Sequence, residues 1–401
     1  MPETPSSSTD RSHSDFLDRE LPDLNRSDVH RPDTQRSHVV LVGNGDSHLH
    51  VAAHAERLIQ QGARVTLVTQ QDFAFPDWLG GMLGGEWQLD DVRLPADRIA
   101  AHGGTHIFAE VLKVDRQQRR ITLDGGRQLD YDWLSVDLPP VVDEHAVPGF
   151  YTAKGVFTAS AEDLWSLRQQ LETQLAGADA KLPSVAVIGD GPVGVELAAN
   201  LLALGERYGR RLAVTLIDND RRPLPGACRR ANRWLMQRLH QRGLRLELVA
   251  TATRYDHNQL ILDDGSAVDA DLLLVTDHLR PSPAIVLLNL SHDESGGIAI
   301  DTRLRSQQDP RLFLARENPA GYADIPTKRE RAALLLESLS QAVSGESRTL
   351  RHDQFEHWKA LNLGDLRDIA WRGSLWCRGR WVRRWKHRRD RREVAHYLGK
   401  T

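Results

Sequence analysis

The chain is poor in cysteine. Among its 401 residues only Cys228 and Cys377 occur. They are far apart and in no C-x-x-C spacing, which argues against a dithiol redox centre and against a structural zinc. Two lone thiols suit a reducing, intracellular compartment. Long apolar runs are missing too: no stretch reaches the roughly 20 residues of a membrane-spanning helix. Polar residues follow Met1, where a signal peptide would be apolar. Net charge is small, −3 from 52 Lys+Arg against 55 Asp+Glu, so only its distribution can speak of partners. Apolar content of 40% and charge of 27% describe a soluble globular protein, and the length exceeds one core, so two or three domains are expected. Residues 1–36, rich in Ser, Asp, Arg and Pro, are too poor in apolar side chains to pack and are expected to be disordered.

What is present begins with "SVAVIGDGPVGVELAAN" at residues 184–200. "VAVIG" has the β-branched pattern of a strand buried on both faces, and "VELAANLLAL" has apolar residues at helical spacing. Between them Gly189, Gly191 and Gly194 fall at G-x-G-x-x-G offsets. The first glycine allows a tight turn, the second lets backbone approach a pyrophosphate, and the third lets helix pack on strand. About thirty residues on, "LAVTLIDND" predicts the next strand, ending at Asp218, where a carboxylate accepts from a ribose hydroxyl. The pattern predicts a dinucleotide site.

The motif occurs twice. "HVVLVGNGDSHLHVAAHAERLIQQGARVTLVTQQ" begins at His38, and its Gly43 and Gly45 correspond to Gly189 and Gly191. Each copy is followed by a similar phrase, "RRITLDGGRQLDYDWLSVD" or "NQLILDDGSAVDADLLLVTD". Both read as two strands around a glycine turn, then an apolar strand ending at Asp137 or Asp277. The chain therefore holds two βαβ-plus-meander units.

On these residues, with "GGMLGG" at 80–85 and the tail "LNLGDLRDIAWRG…GRWVRRWKHRRDRR", the chain resembles the two-dinucleotide-binding flavoproteins of the pyridine nucleotide–disulfide oxidoreductase superfamily. Within them it is most similar to the NADH-dehydrogenase-like module associated with selenide, water dikinases. The resemblance runs from about Val39 to Leu398. It implies an α/β fold of two Rossmann-like domains, an FAD-binding one with an NAD(P)H-binding one inserted in it, followed by a helical basic C-terminal region. The expected boundaries are 37–150 and 281–330 for the first, 151–280 for the second and 331–401 for the tail. FAD is expected at Gly43, Gly45, Ser47, His48, Thr69, Gly81 and Glu317, and NADH at Gly189, Gly191, Gly194, Glu196 and Asp218. His48 stands at the third-glycine position, and Thr69 matches Asp218, with Asp72 nearby. "FPDWLGGMLGGEW" falls where the family lays backbone beside the flavin ring, although the residues alone read equally as a flexible surface loop. Glu196 matches a family glutamate near the meeting of nicotinamide and flavin, and would also suit a helix first turn on its own.

Three phrases depart from the family pattern. The meander strands end in "SVDLPP" and "VTDHLRP" rather than in glycine, and Arg316 and Glu317 replace a Gly-Asp expected against the flavin. His50 and His54, four apart on the expected helix, have a spacing a metal could use but no third ligand, and read as helix-surface histidines; no metal is expected. In the tail, "WRGSLWCRGRWVRRWKHRRDRR" carries ten Lys/Arg, one Asp and four Trp. It contributes +9, so the remainder of the chain carries −12. Gly373 and Gly379 break the segment before a helix on which Trp381, Val382 and Trp385 share a face. That face packs on the core, or meets an anionic membrane surface; nucleic acid fits least, because no binding module accompanies it.

The implied reaction is hydride transfer from NADH to FAD, then electrons to an acceptor such as a quinone, in the cytoplasm or at the inner face of its membrane. No side chain is assigned as catalytic, because the flavin carries the chemistry. NADH is preferred to NADPH because Asp218 would repel a 2′-phosphate, with Arg221 and Arg222 leaving some room. Two other classes remain open: a degenerate NAD(H)-binding protein that has lost FAD, and a membrane-surface adaptor.

Overall fold

The computed structural model describes residues 36–143, 145–153, 155–177, 181–189, 191–293, 297–315, 328–346 and 358–400. The expectation of disorder over 1–36 falls almost wholly outside them. Strand β1 (Ser37–Val42) enters the core directly, and α1 (Asp46–Ala53) follows the turn at Gly43 and Gly45. The predicted single helix is interrupted at His54, whose backbone leaves helical geometry, and resumes as α2 (Ala55–Gln60). Next come β2 (Ala63–Val68), α3 (Pro76–Leu83), β3 (Thr105–Ile107) and β4 (Trp133–Val136). β1 pairs in parallel with β2 and β4, and β2 with β3. Val39, Val40 and Leu41 are fully buried, as strands covered on both faces require.

The second unit repeats the plan. β5 (Val156–Thr158) leads to α4 (Ala161–Ala176), β6 (Ser184–Ile188), α5 (Gly191–Arg207), β7 (Ala213–Asp218), α6 (Arg229–Gln241), β8 (Arg245–Leu248) and β9 (Leu272–Val275). Its parallel sheet runs β5-β9-β6-β7-β8. Each meander has one strand more than the sequence suggested. Val111–Asp115, Arg120–Leu123 and Gln128–Asp130 form one antiparallel trio, and Ala252–Asp256, Gln259–Leu262 and Ala267–Asp269 the other.

The first sheet closes late. β10 (Leu312–Leu314) pairs in parallel with β4, giving the order β10-β4-β1-β2-β3. α7 (Lys328–Ser344) then packs on α1 and α2. A hairpin of Ile369–Arg372 and Leu375–Arg378, flanked by Lys359–Leu361, precedes α8 (Arg380–Tyr397). Gly373 lies between the hairpin strands and Gly379, at φ 117°, caps α8, as the sequence suggested.

Candidate functional site: two glycine turns

In the first turn an internal anion sits on the helix. The Asp137 carboxylate, at the end of β4, accepts from Ser47 N (3.0 Å) and His48 N (3.2 Å). Its backbone is fixed as well, accepting from Gly45 N and donating to Val42 O. Gly45 is required, since a Cβ there would lie 2.0 Å from the carboxylate. Two N-terminal amides thus hold a carboxylate where such helix starts hold phosphate.

His48 does not use its ring as a binding group. The ring is fully buried between Gly43 O (3.0 Å) and Ser135 Oγ (2.8 Å), and burial holds it below the usual histidine pKa. This is the correction its sequence position needs: only its amide faces the anion. Ser47 Oγ donates to Ala315 O, linking the turn to the end of β10. Thr69 Oγ1 closes a local turn with Gln71, and Asp72 Oδ1 accepts from Ala96 N. A cavity of 240 Å³ opens beside the turn, lined by Gly43, Asn44, Thr69, Ala109, Pro139 and Leu288 among others.

The second turn is built as the spacing predicts. Gly194 packs so tightly under β6 that a Cβ would meet Gly189 O at 2.7 Å. Asp218 is buried at the end of β7, its carboxylate accepting from Asp220 N (2.8 Å) and Gly191 N (3.4 Å). Two residues on, Asp220 begins the rim of an 870 Å³ basin lined by Arg221, Arg222, Arg229 and Arg233. The acid therefore joins the glycine turn to a basic concavity.

"FPDWLGGMLGGEW" is neither loop nor surface: its centre is the buried helix α3. Its glycines make room for neighbours. A Cβ on Gly80 would meet Glu196 at 2.7 Å, on Gly84 Asn200 at 2.5 Å, and on Gly81 Trp87 at 2.8 Å. Three positions four residues or fewer apart thus let α3 lie against α5 and the Trp87 ring.

Glu196, in the first turns of α5, has its Oε1 buried with no hydrogen-bond partner among the described residues. Burial pushes its pKa up to about 8; Lys386 opposes this, and Asp77 and Asp368 add to it. At neutral pH it is a carboxylic acid. Around it lies a charge cluster the sequence did not disclose. Lys386 Nζ, buried on α8, donates to Asp77 O (2.8 Å) and Asp390 (2.7 Å). Asp77 also accepts from Arg329 and Arg389. Burial would raise Asp77, but Lys386, Arg329 and Arg389 outweigh it and hold it at about 2. Glu86 accepts from Arg383 and lies 3.0 Å from His387. The i,i+4 spacing of Lys386 and Asp390 was the one legible clue.

The tail therefore packs its charged side, not its tryptophans. Val382, Lys386 and Asp390 point in, while Trp381 is 58% exposed and Trp385 36%. The three residues expected on one face are split between two. Exposed Arg380, Arg384, Arg388, Arg391 and Arg392 join the two tryptophans on the outer ridge. His50 and His54, expected on the helix surface, are half-buried. Their ring centroids lie 4.2 Å apart with the planes tilted by 40°, His54 Nε2 lies 3.2 Å from His396 Nε2 of α8, and burial lowers His50 to about 3. Among the described residues no group is arranged to hold a metal. Arg316 and Glu317 lie outside the described residues.

The chain matches the family described as "Pyridine nucleotide-disulphide oxidoreductase" over residues 37–315. It is 26% identical over 299 residues to a demethylphylloquinone reductase of Synechocystis, covering 71% of this chain and 72% of that one. It is 23% identical over 289 residues to a type II NADH:quinone oxidoreductase of Haemophilus influenzae, covering 61% and 64%. In fold it is similar to NDH2 of Plasmodium falciparum solved with NADH (TM-score 0.70, 12% identity, 91% of this chain and 96% of that one).

Proposed function

The chain belongs to the pyridine nucleotide-disulphide oxidoreductase family, whose members are FAD- and NAD(P)H-dependent oxidoreductases, and on that premise we propose that it oxidises NADH and delivers the electrons to a quinone-class acceptor. The carrying observation is the second turn: a glycine-rich helix start with a buried carboxylate, Asp218, hydrogen-bonded to it. Asp218 orients a ribose through its hydroxyls, and the α5 start faces the pyrophosphate. The lack of a 2′-phosphate on NADH spares that carboxylate a like charge.

The first turn has the chemistry an FAD pyrophosphate needs, because a carboxylate already sits on its amides. Ser47 N and His48 N would hold it once the Asp137 carboxylate leaves them, with Gly43 and Gly45 keeping side chains out of the turn and the 240 Å³ cavity beside Thr69 for the adenosine end. When bound, FAD supplies the capacity to take a hydride and release electrons one or two at a time. Glu196, its carboxyl raised to about 8 by burial, favours its protonated form at the α3–α5 junction.

The outer ridge of α8 supports a second element of the reading, contact with anionic lipid. Exposed Trp381 and Trp385 alternate there with arginines, a composition suited to a headgroup layer. Among the described residues no helix is long and apolar enough to cross a membrane. Free Cys228 and Cys377 favour the cytoplasmic leaflet. The test is NADH consumption with a water-soluble quinone and added FAD, under anaerobic conditions. Quinone-dependent NADH loss is expected; none, at saturating FAD and NADH, refutes the activity.

A further inference from the structure

We infer that Asp137 is a built-in competitor for the flavin pyrophosphate, which makes FAD a dissociable ligand of this chain rather than a permanent one. The inference rests on the flavin oxidoreductase reading above. The Asp137 carboxylate occupies the two amides, Ser47 N and His48 N, that the first turn offers to an anion. It is held in place from three sides. Its main chain pairs with Gly45 N and Val42 O, and its side chain lies against the bare Cα of Gly45, where any Cβ would collide. It is buried, so the two hydrogen bonds are shielded from water.

A pyrophosphate can take those amides only if the carboxylate leaves them. Two anions cannot share the donors, and in a site this dry their repulsion is poorly screened. Pro139, which lines the adjoining cavity two residues after Asp137, restricts how far the β4 exit can swing to release the carboxylate. Each feature favours the self-capped state and leaves occupancy to follow the free FAD concentration. The second turn differs, because Asp218 approaches Gly191 N from the ribose side on the neighbouring strand β7.

The experiment titrates FAD and riboflavin, by quenching of flavin fluorescence, against the wild type, Asp137→Asn and Asp137→Ala. Both variants should bind FAD at least about tenfold more tightly than the wild type. Riboflavin, which has no pyrophosphate, should show no such gain. Apo Asp137→Ala leaves two buried amides unpaired, so it should melt below the wild type, and saturating FAD should raise its melting temperature by more than it raises the wild type's. If Asp137→Ala fails to fold, Asp137→Asn carries the comparison. FAD affinity unchanged or weaker in the variants overturns the inference, as does wild type that keeps stoichiometric FAD through gel filtration. NADH titrated in parallel tells two failures apart. Intact NADH binding without the FAD gain overturns this inference alone, whereas a wild type that binds no NADH overturns the proposed function.

Discussion

Replacing Glu196 by Gln should remove most of a pH dependence of stability that the wild type shows near neutrality. The carboxyl is raised from 4.5 in a free chain to about 8 in the fold, mainly by burial. Between those values the folded state holds a proton that the unfolded state has lost. Stability therefore falls as pH rises, by about 1.4 kcal/mol per pH unit. From pH 6.5 to 8 the loss is roughly 2 kcal/mol, and above pH 8 it levels off. That value already includes the facing groups: Lys386 eases ionisation, while Asp77 and Asp368 oppose it. Asp368 is itself raised to about 6, so starting at pH 6.5 keeps most of its titration out of the window. Urea denaturation of wild type and Glu196→Gln at pH 6.5, 7.2 and 8 measures the effect. Other titrating groups are common to both chains and drop out of the difference. A variant whose stability declines with pH as steeply as the wild type's would refute the assignment of the buried proton to Glu196.

Asp218→Ala should weaken NADH binding by roughly 1.5–3 kcal/mol through loss of a charge-assisted hydrogen bond, read by NADH fluorescence titration; equal affinity would remove Asp218 from the site. His48→Ala deletes a fully buried ring with two hydrogen bonds and should cost roughly 2–4 kcal/mol in urea denaturation, with no need for ligand to reveal it. Gly84→Ala forces a methyl to 2.5 Å from Asn200 Oδ1 and should destabilise by about 1–3 kcal/mol, lowering the thermal midpoint. The full chain should sediment with anionic vesicles at low salt and be released by added salt, and Trp381→Ser with Trp385→Ser should stay in the supernatant; sedimentation indifferent to both changes would exclude the α8 ridge.

The parallel sheets were legible because local sequence encodes them. "HVVLVG" and "SVAVIG" are short β-branched runs closed by glycine, and each is followed by helical spacing. That the chain returns to the first domain within 281–330 was legible only through the family resemblance, since "RLFL" has no pattern that names its partner. The loop alternative for α3 fails because glycine favours loops in isolation, whereas here Gly80, Gly81 and Gly84 are small so that Glu196, Trp87 and Asn200 fit. One of the two readings of the tail, the tryptophan face packed on the core, fails for a related reason. Hydrophobicity suggested that its tryptophans face inward, but Asp77 and Glu86, some 300 residues earlier, draw the cations in and leave Trp381 outside. Asp137 was visible as the end of an apolar strand; that it reaches back onto α1 depends on the β1–β4 register, Val42 beside Val136.

The late arrival of β10 has a consequence for synthesis. While the ribosome is still making residues 137–311, β4 has β1 on one side and an open parallel edge on the other. The second sheet, contained within residues 156–275, needs nothing downstream and can assemble first. The nascent first sheet meanwhile exposes the backbone of "WLSV", an apolar edge of the kind that recruits foreign strands. A ribosome stalled between residues 276 and 311 would thus release a chain with one finished sheet and one adhesive one. Such fragments should depend on chaperones in a way the completed polypeptide does not.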